Sequence, residues 1–336
     1  HMARLRQKEG YFRTKRRTTH FIKKIPLIGD GLFRAIRRVK KSFKNAMYGS
    51  NYFEDMGLYY LGPADGNDYR AVVNLLQAAR DTGDSVVIHL KTRKGKGYPP
   101  AERDPGAFHG MPPASAGAPN PGAAVPDNFS RHLGQILIQE SVRDDRICAI
   151  TAAMSEGTGL EAFRAARPDR FFDVGIAEGH AVCMAAGLAK QGMKPVAALY
   201  STFLQRAYDM LLHDVALQQL HVVLAVDRCG IVGEDGETHQ GMFDVGYLRQ
   251  VPGLKIFSPA SFAELREDLH AALYACTGPA AIRYPRGGEG SYTAAAAGTL
   301  LREGYSCTVI CYGTMINAVL AAADTLQAAG YRPEIL

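Results

Sequence analysis

Apolar and polar positions alternate along this chain in two rhythms, short β-branched runs and helical repeats. Val72, Leu75, Leu76 and Ala79 recur at helical spacing behind Asp68, a helix-capping acid, and Ser85 to Leu90 reads as a buried strand. Farther on the alternation is regular. Helices are predicted at Phe129 to Val142, Leu160 to Ala166, Glu178 to Lys190, Phe203 to Gln219 and Phe262 to Ala275. Strands are predicted at Arg146 to Thr151, Phe171 to Val174, Pro195 to Tyr200, Val222 to Asp227, Leu254 to Ser258 and Ala280 to Tyr284. This order calls for an α/β fold, a parallel sheet with helices on both faces. A strand at Cys307 to Cys311 and a helix at Met315 to Ala329 open another such unit, and a new strand is expected to begin as the chain reaches Leu336.

Composition changes the picture in three places. The net charge of +6 conceals a basic segment, since residues 1–50 carry fifteen Lys and Arg against Glu9 and Asp30. Pro26 and Gly29-Asp30-Gly31 interrupt it, so it reads as a solvated connector rather than a nucleic-acid-binding or membrane-binding helix. The Pro- and Gly-rich run at 105–127 reads as a linker. No apolar run approaches the roughly 18 residues of a membrane span. The six cysteines form no CxxC pair and are expected to be reduced and mostly structural, which with the absence of a secretory signal points to the cytoplasm.

Ligands of parallel α/β sheets sit at the carboxyl ends of the strands, which directs attention to the loops after Val174, Tyr200 and Asp227. The first places Glu178 at the start of an apolar helix; taken alone, it is an acid favoured by the helix dipole. The second runs Ser201-Thr202-Phe203-Leu204-Gln205-Arg206 and offers an aromatic surface and a guanidinium, although aromatics in such loops more often pack in a core. The third, Arg228 to Gly241, is Gly-rich and carries Glu234, Asp235 and His239. Asp235 and His239 could ligate a metal, but hydrogen bonding is the favoured reading, and no Cys/His spacing matches a zinc site. Three unusual loops at successive strand ends outweigh the plain reading of each.

Tyr60 to Asp68, Lys94-Gly95-Lys96-Gly97-Tyr98, Phe108-His109, the Glu178 helix start, Tyr200 to Arg206, Asp235 to His239 and Arg283-Tyr284-Pro285-Arg286-Gly287 occur in one order. In that order the chain resembles the 1-deoxy-D-xylulose-5-phosphate synthases over nearly its whole length. The resemblance implies a transketolase-like pyrimidine-binding domain at 128–292 with partial α/β domains on either side. Residues 1–104 would be the end of a diphosphate-binding domain with its basic connector, 105–127 the linker, and 300–336 the start of a C-terminal domain. The chain would thus begin inside one domain and end inside another.

The same resemblance implies thiamine diphosphate and Mg²⁺ as cofactors, pyruvate and glyceraldehyde 3-phosphate as substrates, and a homodimer in the intact protein. Glu178 matches the acid that hydrogen-bonds the cofactor's pyrimidine, Phe203 the aromatic residue stacked on that ring, and Tyr98 and His109 residues approaching from the other domain. Arg206 and Arg286 match arginines near the acceptor phosphate, where a planar fork suits the oxygens. Tyr200, Arg228, Asp235 and His239 match residues lining the substrate side, with His239 a proton carrier. Two departures stand out: Gly179 replaces a larger residue after the acid, and the Gly-Asp-Gly metal motif is expected only in a region before His1, so this chain alone is expected to bind the cofactor poorly and to be inactive. Competing readings are a transketolase and a non-catalytic or split subunit paired with a separate diphosphate-binding chain.

Overall fold

Among the described residues nine strands are placed by hydrophobic runs or their ends, and a tenth by tertiary pairing alone. The computed structural model describes residues 39, 51–106, 108–109, 127–293 and 300–336. The basic connector and most of the Pro/Gly linker lie outside the described residues. The chain divides into two compact units, His1–Ala123 and Ala124–Leu336.

In the first unit β1 (Tyr59–Asp65) pairs in parallel with β2 (Val86–Lys91) across the helix Tyr69–Arg80. Asp68 caps that helix as expected, its side chain accepting from the N–H groups of Arg70 and Ala71. β1 was not legible as a strand. Gly62-Pro63 falls in its middle and most of its residues are not buried, so no clean alternation marks it.

The second unit is built on a six-stranded, wholly parallel sheet in the order β4-β3-β5-β6-β8-β7. Its strands are β3 (Ile147–Thr151), β4 (Phe171–Asp173), β5 (Lys194–Tyr200), β6 (Val223–Asp227), β7 (Lys255–Phe257) and β8 (Ala280–Arg283). Alternate strand residues feed two cores, because successive side chains point to opposite faces. Ile150, Ala197, Leu199, Leu224 and Val226 pack with Ala181, Val182 and Ala185 of the helix Glu178–Lys190. Ala149, Val196, Ala198, Val223 and Ala225 pack with Leu133 and Leu137 of the helix Phe129–Arg143 and with Leu265 and Leu269 of the helix Phe262–Tyr274. Helices therefore cover both faces, which is why β3 and β6 are buried along their whole length. A small parallel pair, β9 (Cys307–Val309) and β10 (Pro333–Ile335), flanks the helix Met315–Ala328.

Two expectations need correction. The helix predicted over Phe203 to Gln219 is a succession of short pieces, α at Ser201–Leu204, 3-10 at Gln205–Ala207, α at Tyr208–Met210 and π at Leu211–Ala216. Leu204, Ala207, Leu211 and Val215 keep the i, i+3, i+7, i+11 spacing of one helical face and are all buried, so the predicted apolar face holds and only the pitch departs from α. Among the cysteines, Cys148, Cys229 and Cys276 are buried as small apolar side chains, whereas Cys183 and Cys307 are exposed. All six are free thiols.

Candidate functional site

Register brings the strand ends level. Thr151 pairs with Asp173 and with Ala198, Tyr200 with Asp227, and Val226 with Arg283. The loops after β4, β5, β6 and β8 consequently leave the sheet along one edge, and Glu178, Tyr200 to Arg206, Arg228 to His239 and Arg286 all lie in or just beyond them.

The side chains at this edge form a continuous row of contacts. Glu178 occupies the first turn of its helix and is buried, 4% exposed. Its Oε1 accepts from Arg206 Nη1 at 2.7 Å, and the Arg206 guanidinium lies 4.8 Å above the Phe203 ring centroid. Phe203 stacks on Tyr200 with centroids 5.8 Å apart, and His239 meets Phe203 edge-on at 5.2 Å and Tyr200 at 6.4 Å. On its other side Tyr200 carries the Arg228 guanidinium at 4.2 Å from its ring centroid. Arg228 Nε is 3.5 Å from Asp235, and Asp235 is also bonded by Arg286 Nη1. Burial pushes the Tyr200 phenol up to about 12, so it stays a neutral hydroxyl at ordinary pH.

The row includes eight of the ten residues singled out in the sequence. Arg206, which the resemblance places near an acceptor phosphate, bonds Glu178 and lies at the opposite end of the row from Arg228 and Arg286. The buried carboxylate needs a charged partner, and Arg206 is the cation that the short helix after β5 brings within reach. Tyr98 and His109 belong to the other unit. There Tyr98 meets Phe108 edge-on at 5.6 Å, and Lys94 Nζ donates to His109 Nδ1 at 2.6 Å.

Sequence reasoning missed the support beneath Arg228. Asp227 is fully buried; its Oδ1 accepts from the Arg228 backbone N–H at 2.7 Å and pairs with Arg228 Nη1 at 2.9 Å, while its Oδ2 accepts from Ser130 Oγ at 2.7 Å. Burial raises the Asp227 carboxyl, and Arg228 and Ser130 pull the other way. Arg228 Nη1 also donates to the Gly157 carbonyl, and Arg228 itself has a left-handed backbone at φ +59°. An acid closing the wholly apolar run Val222 to Val226 was the available signal, because such a position is buried and must be matched. Among the described residues Ser201 Oγ is buried without a hydrogen-bond partner, while Arg228 Nε and Asp235 Oδ2 face each other as an ion pair at 3.5 Å without a hydrogen bond.

An acid at a helix start beside a flat aromatic face, with two arginines a few residues away, suits a cofactor that has an aromatic nitrogen heterocycle and a substrate that is anionic. A divalent metal has no such fit, since no group of three or more potential ligands occurs among the described residues.

Fold and edge together define an α/β domain of the transketolase pyrimidine-binding kind. The family model described as "Transketolase, pyrimidine binding domain" matches residues 128–288, and the model described as "1-deoxy-D-xylulose-5-phosphate synthase" matches residues 1–92. The chain is a homologue of the 1-deoxy-D-xylulose-5-phosphate synthases. It is 45% identical over 325 residues to that enzyme of Chlorobium luteolum, covering 91% of this chain and 51% of the relative. To the enzyme of Natranaerobius thermophilus it is 42% identical over 346 residues, 100% of this chain and 54% of the relative. The chain thus spans about half the length of the curated relatives it matches. Among solved structures it resembles a split-gene transketolase described as an inactive β4 tetramer, at 28% identity and TM-score 0.56, covering 63% of this chain and 71% of that one. The transketolase of Pichia stipitis, at 12% identity and TM-score 0.56 over 87% of this chain and 58% of that one, shares the fold.

Proposed function

We propose that this chain supplies the pyrimidine-binding half of a thiamine-diphosphate site that joins pyruvate to glyceraldehyde 3-phosphate with loss of carbon dioxide, giving 1-deoxy-D-xylulose 5-phosphate. The observation that carries the reading is the unbroken row from Glu178 through Arg206, Phe203, His239, Tyr200, Arg228 and Asp235 to Arg286 on one sheet edge. The cofactor, when bound, supplies the electron sink for decarboxylation. Glu178, held by Arg206, would hydrogen-bond the pyrimidine nitrogen from a buried position. Phe203 orients the ring by its flat face.

At the other end Arg228 and Arg286, bridged by Asp235, receive the phosphate of the acceptor. Tyr200 gives an uncharged wall between the two ends. His239 carries protons to and from the substrates. Mg²⁺ belongs to residues outside those described, and no step above is routed through it. In this reading residues 1–104, 105–127, 128–292 and 300–336 are the diphosphate-binding remnant, linker, pyrimidine-binding domain and start of the C-terminal domain of a cytoplasmic homodimer.

The test, run on the intact protein that includes the diphosphate-binding half, is carbon dioxide release from pyruvate dependent on glyceraldehyde 3-phosphate. Glu178→Gln keeps the shape and removes the acid, so turnover should fall at least about a hundredfold. Unchanged turnover in that variant would sink the proposal, and transfer of a two-carbon unit between sugars without carbon dioxide release would favour a transketolase. A second reading, a subunit that pairs with a separate diphosphate-binding chain, draws support from the likeness to the split-gene transketolase. Activity appearing only when a second polypeptide is added would select it.

A further inference from the structure

We propose that Gln240 is a positioning residue of this site, its carboxamide clasping the 230–241 loop shut so that Asp235 and His239 stay at the sheet edge. The loop leaves at Gly230 and returns at Gly241, where each backbone N–H donates to the other's carbonyl at 2.8 Å. Between these ends lie two single 3-10 turns, Gly233–Asp235 and Glu237–His239, joined through Gly236 at φ +79°. Their own bonds are long, 3.2 Å from Asp235 N–H to the Val232 carbonyl and 3.3 Å from His239 N–H to the Gly236 carbonyl.

Gln240 supplies the shorter ones. Its Oε1 accepts from Val232 N–H at 2.8 Å, and its Nε2 donates to the Val232 carbonyl at 3.0 Å and to the Gly236 carbonyl at 2.8 Å. One acceptor and both donors are used, and Val232, the fixed end of the clasp, is buried. A glutamate of the same length has no donor when ionised and would set its charge against two carbonyl oxygens. The loop is also tied to the sheet edge by a bond from Thr202 Oγ1 to the Thr238 carbonyl at 3.1 Å. The clasp spans Asp235, which pairs with two arginines, and His239, which immediately precedes Gln240 and packs on two aromatic rings.

The catalytic consequence rests on the proposed function, whereas the clasp does not. Gln240→Glu and Gln240→Ala should raise hydrogen exchange of amides 232–239 about tenfold or more while the sheet strands exchange at the wild-type rate. In the assay above, KM for glyceraldehyde 3-phosphate should rise more than KM for pyruvate, because Asp235 and its arginines lie in or against the loop. Wild-type exchange in the loop of both variants overturns the clasp whatever the activity. Faster exchange with kcat and both KM values unchanged overturns the positioning role. A wild-type protein that releases no carbon dioxide, with variants whose loop exchanges faster, overturns the proposed reaction and supports the clasp.

Discussion

Tyr284 illustrates how much a single side chain at this edge depends on neighbours remote in sequence. Its ring is wholly buried and stacks on Phe129 at 6.3 Å, yet its hydroxyl has no hydrogen-bond partner among the described residues. An unmatched buried hydroxyl costs stability that a hydrogen does not. Tyr284→Phe is therefore expected to stabilise the protein by about 1 kcal/mol in urea unfolding; a loss of stability would show that the hydroxyl is matched after all. Glu178, Arg228 and His239 were legible as candidates because they stand at strand ends among glycines. Asp227 and Ser130 were not, since their importance comes from each other, 97 positions apart in sequence. The pairing of Arg206 with Glu178, 28 residues away, was equally hidden.

Among the elements, strands bounded by turn residues and the capped helices were legible, with boundaries shifted by a residue or two. The segment after β5 was legible as a helix with its buried face, but its breaks in pitch were not. The 228–241 loop shows the converse case, where a short motif has one permitted geometry. A Cβ at Gly241 would collide with the Arg228 carbonyl, so the neck of the loop closes only with glycine there. Gly241→Ala should cost about 1–3 kcal/mol of stability and speed exchange in the loop. An unfolding midpoint equal to wild type, with normal exchange, would show that the neck has room to relax.

The pH dependence of the whole molecule has a distinct source on the helix Phe262–Tyr274. Burial, with Glu264 and Glu267 adding repulsion, pushes the Asp268 carboxyl up to about 7. Folding takes up a proton there between the ordinary carboxylate range and about 7, so this group favours the fold at acid pH, and that contribution is lost as pH rises through the window. Asp268→Asn should accordingly melt at a temperature that gains on wild type from pH 4 to pH 8. A constant difference across that range would place the titration elsewhere. By itself the sequence determined the α/β class, the order of the central elements and the loops in which chemistry should be sought, because hydrophobic period, caps and turn residues are local properties. Only the tertiary structure decided the strand order, the level strand ends that gather those loops into one row, and the buried partners beneath them. Those depend on which distant segments share a face of the sheet, and pairing across such distances leaves no periodic trace in the chain.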